Sequence, residues 1–364
     1  MLFYLTDSLI IGVDDVRYKD IYRCVRNLAN AADECRHELM GDLSALNYWR
    51  GQLGNDPAAA VLANLVNSFS TTSIPGWLTE YVEVVLNNPH NRMEDDKQVY
   101  QLEYGSFTSS ESTSSTHIIG EDENDGRLYG HILNWYKHRE NISANTNYTN
   151  INGGGRNTYR TFTTHIRQGH ISVCIVDNDR RYPNANEGET AQTCRSVVSS
   201  LPLSRLKVID VLEIENLIPK DIIDNLEWTV ANQRNKTEFD DLYDNIPDKE
   251  MLRYVDLKSG YTKHREYSHN NQWVNFVKYC CECNISIPEE KRNNFDEAFQ
   301  NAPVNDIFMH GLSRTLHREA LEYLNSHPDY SPANFLQFQL EEWSGIGQLT
   351  LDTCICRNAE ALNI

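Results

Sequence analysis

Apolar residues recur at helical spacing early in the chain. Ile21, Cys24, Val25 and Leu28 stand at i, i+3, i+4 and i+7, which predicts an amphipathic helix within Tyr18–Arg36. Ala, Leu and Val repeat the spacing through Pro57–Phe69, and Trp77–Leu86 is a further helical candidate after Pro75. Residues 1–112 therefore read as a mainly helical domain. Its end is marked by SFTSSESTSST (106–116), where nine of eleven residues are Ser or Thr and no period survives. That composition reads as a linker or exposed loop.

Beyond it, short apolar runs alternate with amphipathic ones. Strands are predicted at His117–Gly120, Tyr148–Asn152, Ile171–Val176 and Leu206–Leu212. Helices are predicted at Asp125–His138, Arg156–Arg167 and Glu187–Ser200. The run ISVCIV (171–176) is continuously apolar, as in a strand buried on both faces. The order βαβαβαβ predicts a small parallel sheet with helices on both sides, whose ligands sit at the carboxyl ends of its strands. Residues 113–222 form this second domain. Residues 223–364 return to a mainly helical pattern, with helices expected over Ala302–Asn325 and Pro332–Trp343 and a turn at Trp343–Gly347. The acidic stretch 238–250 reads as a solvated loop.

Composition changes this picture in two ways. The 364 residues carry 33 Lys+Arg against 52 Asp+Glu, a net charge of −19. Such a surplus speaks against a protein that coats nucleic acid by bulk charge. From Gly153 to Lys207, however, eight bases face four acids, so the second domain is locally positive. No run approaches the ~18 apolar residues of a membrane span. The opening MLFYLTDSLIIGVDD lacks a basic n-region, so a cytoplasmic protein with reduced thiols is the expectation. The pairs Cys281/Cys283 and Cys354/Cys356 would offer four thiolates to zinc, but their spacing is narrower than the usual C-x₂₋₄-C.

Three predicted strands run into acids. The first leads to Glu121-Asp122-Glu123-Asn124-Asp125, the third to Asp177-Asn178-Asp179, and the fourth to Glu213-Ile214-Glu215. Carboxylates gathered at one sheet edge repel unless protonated or neutralised by a cation. Hard oxygen donors favour Mg²⁺, Mn²⁺ or Ca²⁺, and such ions serve phosphate chemistry. Residues two apart on a strand point the same way, so Asp177 and Asp179 would face one ion.

These segments resemble the toprim fold shared by topoisomerases, primases and a group of nucleases. HIIGEDENDGRLYGHIL (117–133) resembles its first motif, an apolar strand, a Glu and an Asp four residues on; Asp122 departs from the Gly usual after the Glu. ISVCIVDNDRRYP (171–183) resembles the strand and Asp-x-Asp of the second. TNINGGGRNTYRTF resembles the glycine turn between them. LEIENLIP (212–219) is similar to the E-x-E-N segment of nucleases of the overcoming-lysogenization-defect type and their stand-alone relatives in phage defence. The resemblance spans about 113–222 and implies an α/β toprim (Rossmann-like) core flanked by helical regions.

It also implies an activity: a nuclease using one or two Mg²⁺ or Mn²⁺ ions to hydrolyse phosphodiesters of DNA or RNA, as an anti-phage (abortive-infection) effector. Asp177, Asp179, Glu213 and Glu215 would hold metal. Glu121 would ligate metal or act as general base, with Asp125 supporting it. Lys258, in an Asp-x-Lys-x-Gly segment resembling one found in related nucleases, would neutralise the scissile phosphate. Arg156, Arg160, Arg180 and Arg181 would line the nucleic-acid path. A partner ATPase or sensor, an inhibitor, or a second copy of the chain are compatible partners. The competing reading is a non-catalytic toprim-like protein whose acidic flanks bind such an ATPase. A nucleotide site at Gly153–Gly155 is a third, carried only by consecutive glycines that lack G-x-G-x-x-G spacing.

Overall fold

The computed structural model describes residues 1–198, 203–263 and 269–357. The first part of the chain forms β1 (Leu2–Leu5), α1 (Tyr18–Asp33), β2 (Glu38–Gly41), α2 (Leu43–Leu53), α3 (Ala58–Ser68), β3 (Glu80–Val85), β4 (Arg92–Glu94) and β5 (Lys97–Glu103). Next come β6 (Thr116–Gly120), α4 (Glu123–Arg139), β7 (Asn145–Thr146), β8 (Tyr148–Asn152), α5 (Thr158–Gln168), β9 (Ser172–Val176), α6 (Glu189–Val197) and β10 (Ser204–Val208). The remainder holds α7 (Lys220–Asn225), α8 (Val230–Asn245), β11 (Gly260–Thr262), α9 (Asn271–Glu282), α10 (Glu289–Asn293), α11 (Phe295–Asn301), β12 (Ile307–His310), α12 (Leu316–Ser326), α13 (Gln337–Cys354) and β13 (Ile355–Cys356).

The chain divides into two compact units, and not at the predicted boundaries. The first comprises Met1–Ile175, Thr193–Lys207 and Ser344–Ile364; the second comprises Val176–Gln192 and Val208–Trp343. The Ser/Thr-rich stretch 106–116 lies inside the first unit and is no linker. Phe107, Thr113 and Thr116 are buried, and two short 3₁₀ turns (Tyr104–Phe107 and Glu111–Thr113) order it. Small hydroxyl side chains there satisfy local carbonyls, as Ser112 Oγ does by donating to Ser109 O.

The N-terminal region is also less helical than expected. It contains a five-stranded sheet in the order β2-β1-β3-β5-β4. Its β1–β2, β1–β3 and β3–β5 pairs are parallel, and β4–β5 is antiparallel. Trp77–Leu86 is thus largely strand β3 rather than helix. Short parallel strands buried on both faces show no alternation, so LFYL and EYVEVV carry no strand period. Phe3, Leu5, Val82 and Val84 pack with α1–α3 residues such as Leu28, Trp49 and Leu62, while Leu2, Tyr81 and Val99 pack with Ile355 on another cluster.

The second sheet of this unit has the order β10-β9-β6-β8, with its four strands parallel. The predicted alternation of strands and helices over 116–208 is therefore present. β6 pairs with β8 on one side and β9 on the other, so the strand order reverses between β6 and β9. A ligand crevice is expected at the carboxyl ends flanking that reversal. In the chain, β6 leads directly into Glu121 and β9 directly into Asp177.

The second unit is mainly helical, with a two-stranded antiparallel sheet, β11–β12. Residues 238–250 are no loop: α8 covers most of them, and Phe239, Leu242 and Ile246 are buried. Likewise β12 interrupts the helix expected over 302–325. Trp343–Gly347 does not end a helix but lies within α13. Part of the helix expected over Glu187–Ser200, residues 199 and 200, lies outside the described residues.

Candidate functional site

The candidate residues fall into two groups, one in each compact unit. In the first unit, the glycine turn clasps the end of β6. Gly153 N donates to Gly120 O (2.8 Å), while Gly154 N and Gly155 N donate to Glu121 O (3.0 and 2.9 Å). A Cβ on Gly153 would lie 2.4 Å from Gly120 O, so only glycine admits this approach. Gly154 and Gly155 have φ of 84° and 58°. The amides are spent on the protein's own carbonyls, which removes the physical basis for a phosphate cradle there.

Glu121 is half-buried at this turn. Asp122 caps α4: its Oδ1 accepts from Asn124 N (2.6 Å) and Asp125 N (3.2 Å), and Asp125 Oδ2 accepts from Asp122 N (2.8 Å). This reciprocal capping box explains why an acid replaces the glycine expected after Glu121. It also gives Asp125, 6% exposed, a structural task at the helix start.

The second unit gathers Asp177, Glu213, Glu215, Asp256, Arg181 and Lys258. The E-x-E-N segment forms a 3₁₀ turn, Ile214–Leu217. Asn216 fixes it: its Oδ1 accepts from Glu213 N (3.1 Å), and its Nδ2 donates to Leu252 O (3.0 Å) and Val255 O (2.9 Å). Glu215 is fully buried, with Lys258 Nζ 3.2 Å and His317 Nδ1 3.7 Å from its Oε1. Arg181 Nη1 donates to Asp256 Oδ2 at 3.3 Å. Asp256 Oδ1 accepts from Ser259 N (2.6 Å), which closes the turn that presents Lys258. Gly260, at φ 70°, continues that turn, where a Cβ would meet Met309 O at 2.3 Å.

The electrostatics of this group are unbalanced. Burial, then the carboxylates of Asp256 and Glu215, push Glu213 up to about 8. Burial also raises Asp256. Burial opposes the charge on Glu215, yet His317 and Lys258 outweigh it and hold this carboxyl below its usual range. Burial disfavours the Lys258 ammonium, but Glu215, Glu213 and Asp177 together raise it. Glu213 Oε2 and Glu215 Oε2 are buried and accept no hydrogen bond among the described residues, while Glu215 Oε1 has the Lys258 and His317 contacts. Orphaned buried carboxylate oxygens are costly, and hard oxygen donors in this number suit Mg²⁺ or Mn²⁺.

Asp179 departs from the expected geometry. β9 ends at Val176, so strand alternation does not reach it. Asp179 has φ 59°, and a Cβ on Gly188 would lie 2.2 Å from its Oδ2. Strand alternation therefore does not set Asp177 and Asp179 on one face. Among the four arginines, Arg156 and Arg160 are exposed. Arg180 instead lies near Glu187 and Asp210 (3.6 and 3.9 Å), and Arg181 holds Asp256.

Asp256 and Asn216 lie in the Asp-x-Lys-x-Gly and E-x-E-N segments, which assign a role to their neighbours and none to them. Asp256 stands two residues before Lys258 and Asn216 ends the E-x-E-N run, so both had a local signal. His317, on α12, follows His310 by seven residues, a pair that offers ligands or bases by residue type alone. Lys258 also lines an open polar cavity of about 360 Å³ with Asn235, Ser259, His310 and Arg314. A cavity of about 350 Å³ in the first unit is lined by Tyr4, Asp42, Tyr81 and Glu83. Its acids are already engaged: Asp42 accepts from Tyr4 Oη (2.8 Å) and Asp7 N (2.7 Å), and Glu83 holds Arg92 (2.7 Å).

The cysteine pairs are separately accounted for. Cys281 is buried in the second unit, its Sγ 3.9 Å from Phe308 O, and Cys354 and Cys356 belong to the first. Burial pushes Cys281 up to about 12 and Cys354 and Cys356 up to about 11. No helix among the described residues is long and apolar enough to cross a membrane. Comparison with protein-family models, curated proteins and solved structures finds no match to this chain.

Proposed function

We propose that the chain is a metal-dependent phosphodiesterase of the toprim nuclease type, acting on DNA or RNA. The observation that carries this reading is the buried carboxylate group of the second unit, with Glu213 Oε2 and Glu215 Oε2 lacking hydrogen-bond donors and an ammonium beside Glu215 Oε1. The toprim resemblance of 113–222 supports it, as does the parallel sheet whose strands β6 and β9 lead into Glu121 and Asp177. The defence role rests on that resemblance alone.

Asp177, Glu213 and Glu215 would hold Mg²⁺ or Mn²⁺. When bound, such an ion supplies charge stabilisation to attacking and leaving oxygens in phosphoryl chemistry. Lys258 lies beside this group and lines the polar cavity, which supports a role for its ammonium in binding a phosphate oxygen. Arg314, exposed on the same cavity, adds a second anion contact. Asp256 holds Arg181, and Asn216 orients the turn that carries both glutamates. Glu121 is the carboxylate that the resemblance assigns to water activation.

The test is cleavage of plasmid DNA, single-stranded DNA, tRNA and unstructured RNA with Mg²⁺ or Mn²⁺. The expected result is cleavage by the wild type that Glu213→Gln and Asp177→Asn abolish. Equal behaviour of wild type and variants on every substrate sinks the reading. Metal binding without any cleavage would instead favour the non-catalytic interaction protein.

A further inference from the structure

Three histidines meet at the end of β6 opposite Glu121. His117 is the second residue of β6, His165 sits in the last turn of α5, and His170 lies just before β9. Their placement follows from backbone geometry. Gly169, at φ 80°, ends α5, and His170 N donates back to His165 O (3.1 Å). This six-to-one bond is that of a Schellman turn, and it folds His170 back beside His165. The parallel pairing sets His117 opposite Ser172, with His117 N donating to Ile171 O (2.9 Å), which brings His170 alongside.

The rings form a compact triangle. Centroids are 4.7 Å apart for His117–His165, 4.5 Å for His117–His170 and 5.3 Å for His165–His170. One ring nitrogen of each lies within 4.8 Å of the others. His117 Nδ1 and His165 Nδ1 stand 2.8 Å apart. Ser114 Oγ is 3.0 Å from His170 Nδ1. A hydroxyl on one ring nitrogen fixes the ring and leaves the other for a ligand, as outer-shell partners of metal-bound histidines do.

We infer that His117, His165 and His170 form a binding site for a borderline divalent transition metal of the zinc type. Three imidazoles occupy three of the four positions of a tetrahedral ion. All three residues are only half-buried, so a water or outside ligand can reach the fourth. Around zinc, ligand nitrogens sit about 3.3 Å apart, so the two facing Nδ1 atoms would open by roughly 0.5 Å. Nitrogen donors distinguish this site from the carboxylate group, whose oxygens suit Mg²⁺ or Mn²⁺. It does not depend on the nuclease reading.

The full chain, stripped with chelator, is titrated with Zn²⁺ by calorimetry and with Co²⁺ by visible absorption. One equivalent is expected, with a Co²⁺ spectrum that lacks thiolate charge-transfer bands. The double variant His165→Asn/His170→Gln should weaken Zn²⁺ binding by about 100-fold or more. If the double variant does not fold, as judged by circular dichroism, His170→Gln alone provides the comparison. Absence of binding, thiolate bands in the Co²⁺ spectrum, or wild-type affinity in the histidine variants would overturn the site.

Discussion

Glu213 carries a conflict that its neighbours do not resolve. It is buried beside two further carboxylates, with one oxygen lacking a hydrogen-bond donor among the described residues. Glu213→Gln keeps the shape and the neutral state that burial already favours, so thermal stability should stay near level, while metal-dependent cleavage falls by about 10²-fold or more. Lys258→Met should act in the opposite direction on stability. It leaves Glu215, fully buried, with less compensation, at a cost of about 1–2 kcal/mol in urea denaturation. The glutamates and Lys258 were legible as types at spacings. What stayed hidden was their pairing, because Asp256 and His317 stand 41 and 102 residues beyond Glu215 and Asn216 lies inside a buried turn, so no local period links them.

At the scale of elements, the βα junctions explain the glycines and acids around them. Asp122→Ala removes the cap of α4 and should cost about 0.5–2 kcal/mol, seen as a lower Tm. Gly347, within α13, stands where a Cβ would meet Tyr136 Cβ of α4 at 2.4 Å. Gly347→Ala forces the two helices apart and should cost about 1–3 kcal/mol by urea denaturation. The same glycine, read from sequence, looked like a helix terminator. A glycine that stops a helix and one that lets another helix approach have identical local signatures. Strands β6 and β9 were readable because each is an apolar run bounded by turn residues, and β8 because the glycines 153–155 close it. β1 and β3 were not, because their run lengths fit either a buried strand or a helix segment.

For the whole molecule, buried charge sets a pH dependence. Asp352 is 2% exposed, and burial outweighs its bonds from Thr79 and Gln348, raising it from 3.8 to about 6. The folded state thus binds this proton more tightly than the unfolded chain. The stability from that proton is complete below about pH 4 and is lost as pH rises through about 6. Asp352→Asn removes the dependence. Its stability relative to wild type should rise by about 3 kcal/mol between pH 4 and pH 7, measured by denaturant titration at each pH. The charge of −19 argues for few phosphate contacts. With Arg180 and Arg181 committed to acids, nucleic-acid binding should show a shallow salt dependence, a log–log slope of about −2 to −3.

The sequence by itself determined the alternation of strands and helices over 116–208, the acids that follow three of those strands, and the absence of an apolar span among them. These are properties of local period and neighbour identity, which a chain writes directly. Tertiary structure alone decided the division into units, since the chain passes between them four times and no composition marks those crossings. It alone decided that the Ser/Thr stretch is packed, that Gly153–Gly155 bind a strand end, and that three histidines up to 53 residues apart share one corner. Each depends on strand register and burial, which arise from pairing between distant segments and leave no trace in any single window of sequence.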